Sequence, residues 1–179
     1  MKRQIVFKLD DTSSFFKNTT DYFSPMGFKK VIDSENQIVF TKGSLLLNMV
    51  TFNPLNWKSD IKITLQDSTV VADFDINTTG QVTTPKEEKL WDVFVENYKV
   101  SVTNNLNLLT ENKQQIKETK RNSIKYLKWA LIGGVAFGIP FGILGYFTGI
   151  ETLASTGAAI GAISFIMWKI NEDRKNDIE

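Results

Sequence analysis

Carboxylates come nearest to forming a reactive set in this chain. Asp73 and Asp75 stand two apart in an alternating stretch, which places both on one strand face, and Asp10 and Asp11 are adjacent. Either pair could offer oxygens to a divalent cation. A calcium site takes roughly six to eight, and neither pair has a third ligand at a recognisable spacing. A solvated strand face and a helix cap are the better explanations. The chain contains no histidine and no cysteine. That excludes an imidazole base, a Ser-His-Asp triad, a thiolate nucleophile, disulfides and a histidine pH sensor, together with zinc and iron–sulfur ligation by those residues. An enzyme would have to work through a carboxylate, lysine or tyrosine set that does not converge in the sequence, so no catalysis, cofactor or metal is expected. Asn18 and Asn77 each open a glycosylation pattern, which a cytoplasmic domain would never present to that machinery.

With reactive groups scarce, the informative elements are two apolar segments near the C-terminus. Residues 129–148 and 152–168 carry no charge, and Glu151 is the only charged residue between them. A bilayer core of about 30 Å takes roughly 20 helical residues, which the first segment supplies and the second nearly does. The pattern predicts a transmembrane hairpin with a short external loop at 149–151. Lys113, Lys117, Lys120, Arg121, Lys125 and Lys128 precede it and Lys169, Arg174 and Lys175 follow it, which predicts both termini on the cytoplasmic side of a bacterial-type inner membrane. Tyr126, Lys128, Trp129, Trp168 and Lys169 would mark that interface. The basic start at Lys2 and Arg3 precedes an apolar run too short for a signal peptide.

Small residues pattern the hairpin. Gly134, Gly138, Gly142, Gly145 and Gly149 recur at steps of three or four on the first helix, and Gly157 and Gly161 lie on the second. Such a face lets another backbone approach closely, and the nearest backbone is the other arm of the hairpin, with a second subunit as the alternative. Pro140 removes a hydrogen bond inside the first span and predicts a kink near Ala136. No ionisable residue accompanies it, which argues against a conduction site.

Residues 1–105 read as a small soluble domain. Ile5, Phe7 and Leu9 alternate. Asp10 or Asp11 then caps a helix expected from residue 12 to 23 with Phe15, Phe16, Thr19, Tyr22 and Phe23 on one face. Strands follow at 28–32 and 37–41, and the dense apolar run 45–52 is expected as a third, buried strand. Its Leu45, Leu47 and Met49, with Trp57, could alternatively form a surface for a partner or a lipid tail. A second hairpin covers 61–65 and 70–76. Thr84, Pro85 and Glu87 form a capping box, so a helix must start there with Trp91, Phe94, Val95, Tyr98 and Val102 inward. The fold class is α+β, a small mainly antiparallel sheet with two helices, followed by the transmembrane hairpin. The layout resembles helix-grip and pleckstrin-like modules in architecture, which implies a scaffold and not an activity.

Residues 106–128 read as a basic helical stalk with Leu109, Ile116 and Ser123 at heptad spacing, and 169–179 as a polar cytoplasmic tail. Charge sums to about −1 through residue 105, about +4 in the stalk, and about −1 in both hairpin and tail, reproducing the net +1. The concentration of charge beside the membrane suits topology or anionic lipid, and no basic stripe suits nucleic acid. The expectation is a membrane-anchored accessory or adaptor subunit that docks through its glycine-rich hairpin onto a larger inner-membrane complex or a homo-oligomer. The alternatives are a tethered lipid- or amphiphile-binding domain and a small oligomeric pore.

Overall fold

The computed structural model describes residues 1–81 and 83–176, and of residues 120, 122, 123, 174 and 176 the backbone alone. The end of the expected polar tail, residues 177–179, and the side chains of Lys120, Ser123 and Arg174 therefore lie outside the described residues. Two compact units divide the chain, Met1–Lys120 and Arg121–Glu179.

The first unit is built on a five-stranded sheet in the order β1-β5-β4-β3-β2, with every neighbour antiparallel. The strands are β1 (Lys2–Lys8), β2 (Lys29–Ser34), β3 (Gln37–Lys42), β4 (Ser59–Gln66) and β5 (Thr69–Ile76). Register brings Ile61 between Phe40 and Phe74, and Ile63 between Ile38 and Ala72. All six side chains are buried on one face, as strand alternation requires. Helices α1 (Phe15–Phe23) and α3 (Pro85–Asn104) cover that face with Phe15, Phe23, Trp91, Phe94 and Tyr98. The class is α+β. Two buried hydrogen bonds join the helices: Tyr22 OH donates to the Phe94 carbonyl at 2.6 Å, and the Thr19 and Tyr98 hydroxyls lie 3.1 Å apart.

The capping box at the start of α3 is present, with the Thr84 N–H donating to Glu87 Oε2 at 2.8 Å. Helix α1 starts at Phe15, later than the expected residue 12, because Asp11 binds the Ser13 N–H and hydroxyl and holds residues 11–13 in a turn. Those two bonds lower the Asp11 pKa.

The apolar run at 45–52 is not a strand. A short helix, α2 (Leu45–Asn48), opens it, and Ser44 caps that helix by accepting from the Leu47 N–H. Strand β3 already has β2 on one side and β4 on the other, so the sheet has no open edge at that point. Gly43 provides the sharp departure from β3: it has φ +73, and a Cβ there would meet the backbone of Asn56, Trp57 and Lys58.

Helix α4 (Leu109–Thr148) begins within the first unit. Leu109 and Ile116, two of the expected heptad positions, pack against the core, and Asn112 is buried between Tyr22 and Asn97. Asn112 Nδ2 donates to Tyr22 OH at 3.0 Å and its Oδ1 accepts from Asn97 at 2.8 Å. The compact unit extends to Lys120, so the first turns of the segment expected as a stalk lie within it. In the second unit α4 continues through Pro140 and faces α5 (Leu153–Asn176).

Candidate functional site

Helices α4 and α5 are long and apolar enough to cross a membrane, with windows of mean hydropathy 1.8 and 1.4. From Trp129 to Thr148 the rise is about 30 Å, and from Leu153 to Trp168 about 24 Å. The expected membrane segment is therefore a helical hairpin.

Glycine and alanine form the seam between its arms. Gly133 and Gly161 meet backbone to backbone, Gly138 faces Ala158, Gly142 faces Ala154, and Gly145 faces Leu153. Gly134 looks toward Ala158 and Ala162, and Gly157 lies against Phe141 and Phe137. A Cβ at Gly133, Gly157 or Gly161 would overlap the opposing helix, so contact at these positions requires glycine. Gly149 stands outside the seam. It has φ +73 with nothing within 4 Å of its would-be Cβ, and it turns the chain just after α4. Gly133, left off the predicted stripe, makes one of the two closest approaches.

The outward faces are bulky and apolar. Leu131, Val135, Ile139 and Ile143 on α4 and Ile160, Ile163 and Met167 on α5 are all exposed. Small residues inside and large ones outside are the arrangement a lipid-facing hairpin needs. At the charged end, Asp173 is the hub of a polar clasp between the arms. Its carboxylate accepts from Lys125 Nζ at 3.0 and 3.1 Å and from Tyr126 OH at 2.9 Å, and lies 3.3 Å from Lys169 Nζ. Lys169 also donates to Glu172 at 2.6 Å and sits 5.9 Å from the Trp129 ring centroid. Trp129 and Trp168 meet edge to face at 5.4 Å. Four of the five expected interface residues, Tyr126, Trp129, Trp168 and Lys169, thus gather in one layer, with Lys128 exposed beside them. Asp173 escaped the sequence reading because its partner Tyr126 is 47 residues away.

In the first unit the expected partner or lipid surface divides. Trp57 is 1% exposed and belongs to the core, so it cannot share a surface with Leu45, Leu47 and Met49, which are exposed. Leu46, Val50 and Phe52 join those three outside. Asn48 makes this possible: its wholly buried side chain donates to the Asn77 carbonyl at 2.8 Å and accepts from the Lys58 N–H at 2.7 Å. The loop turns its amide inward and its hydrocarbon outward. Beside it, burial lowers the Lys42 pKa to about 8, while its Nζ donates to the Met26 carbonyl and lies 5.0 Å from the Phe28 centroid.

The carboxylate pairs are engaged locally. Asp73 accepts from Gln4 at 2.6 Å, Asp75 lies 3.8 Å from Lys2, and Asp11 binds Ser13. A polar cleft lined by Asn18, Asp21, Tyr22, Ser101 and Leu109 has Asp21 as its one carboxylate. Tyr22 there is kept protonated, its pKa raised by burial. No protein-family model matches the chain, and no curated protein sequence matches it either.

Proposed function

We propose that this protein is a membrane-anchored accessory or adaptor subunit of a bacterial-type inner membrane. The α4–α5 hairpin is its anchor, and the α+β unit is a binding module on the cytoplasmic side. The observation that carries this reading is the division of labour within the hairpin: small residues meet between the arms, bulky apolar residues face out, and charge collects at one end. Basic residues flank both arms and the connecting loop has none, which supports cytoplasmic termini. Because α5 occupies the glycine seam, docking to a larger complex falls to the outward apolar faces and the soluble unit. Mild-detergent purification of the full chain followed by mass spectrometry tests this. A membrane protein recovered in fixed stoichiometry is expected, and a monodisperse chain without any partner would contradict the adaptor role. The exposed loop at 45–52 favours a second reading, direct contact of the soluble unit with lipid.

A further inference from the structure

We infer that the apolar loop of the soluble unit, residues 44–53, inserts into the headgroup and acyl boundary of the bilayer in which the hairpin is anchored, an inference that rests on the anchored reading above. Single exposed apolar side chains are ordinary on soluble proteins, but contiguous ones mark a contact surface. Leu45, Leu46, Leu47, Met49, Val50 and Phe52 are all exposed, Leu46 at 79% and Val50 at 72%. The loop is built in this conformation. Ser44 caps α2, Asn48 ties the loop to Asn77 and Lys58, and Asn53 accepts from the Leu55 N–H at 3.1 Å. With its polar side chains engaged inward, the loop presents hydrocarbon without first having to unfold.

Two considerations select lipid as the occupant. Residues 43–57 carry no charge and are bracketed by Lys42 and Lys58, with Asp60 the nearest carboxylate in sequence. The Lys42 amine is turned onto the Met26 carbonyl, which leaves Lys58 as the flanking cation, and an uncharged apolar tip without carboxylates suits the interface of an anionic bilayer. Finally, a domain carried by a membrane anchor meets that bilayer at high effective concentration, so a small patch is sufficient.

The absence of native cysteine makes the test direct. Full-length Leu46→Cys, Leu131→Cys and Glu35→Cys are each labelled with an environment-sensitive fluorophore. They are reconstituted in phosphatidylcholine–phosphatidylglycerol vesicles with or without spin-labelled lipid. Residue 131 reports the hairpin, and residue 35 lies in the β2–β3 turn at the far end of the sheet. Emission from positions 46 and 131 is expected to fall by about twofold with the spin label, with position 35 unchanged. Quenching at 131 without quenching at 46 overturns loop insertion and leaves the anchor standing. No quenching at either position overturns both. Blue-shifted emission at 46 that ignores the spin-labelled lipid overturns the inference in favour of a protein occupant, and dependence on protein density would identify that occupant as a second copy.

Discussion

Asn48 organises more of the first unit than its position in a run of leucines suggests. Its carboxamide satisfies the Asn77 carbonyl and the Lys58 N–H, the two backbone groups that meet where the loop rejoins the sheet. Replacement by Ala leaves both without that partner, and each such loss costs roughly 1–3 kcal/mol. We expect Asn48→Ala to destabilise the first unit by about 2 kcal/mol or more in urea unfolding of the full chain in mild detergent. A change within 0.5 kcal/mol, the scale of an ordinary surface substitution, would show that the loop keeps its shape by other means. The same residue explains a misreading. Length and apolar density in residues 45–52 suit a buried strand as well as a short helix and loop, and periodicity alone does not separate them. What decides between them is tertiary: β3 already has a partner on each side, and Asn48 is bonded to Asn77, 29 residues away. Local signals fared better. Thr84 and Glu87 announce the start of α3 because both halves of that cap lie within four residues.

Helices α4 and α5 pair through glycine, and that pairing can be read chemically. A Cβ at Gly142 would lie 3.4 Å from Ala154 Cβ, close to the roughly 3.5–4.5 Å that a disulfide spans. In this cysteine-free chain, Gly142→Cys with Ala154→Cys should oxidise to an intramolecular disulfide. Adding Gly161→Leu, which forces a side chain into Gly133 and Phe137, should suppress it by about tenfold or more. Disulfides formed between copies would instead place the seam at a subunit interface. The glycines were legible in sequence because steps of three and four share a helix face. Their division was not: whether Gly149 packs or turns depends on where α4 ends, and Gly133 becomes a contact through the position of α5. The expected stalk was likewise read only in part. Its polarity is real, but Leu109, Asn112 and Ile116 meet the α1 and α3 side of the domain, which no pattern within the segment records.

Anchoring of the complete chain requires α4 and α5 to lie across a bilayer with their charged ends on one side. The sequence supplies apolar length and the asymmetry of basic residues, and the fold adds the inward glycine seam and the Asp173 clasp. The most direct measurement is labelling of single cysteines by a membrane-impermeant maleimide in sealed inner-membrane vesicles of known orientation, using Glu35→Cys, Lys175→Cys and Glu151→Cys in the full chain. Positions 35 and 175 should react from the cytoplasmic face and position 151 from the opposite face alone. Labelling of position 151 from the cytoplasmic face, together with positions 35 and 175, would contradict the membrane-crossing hairpin.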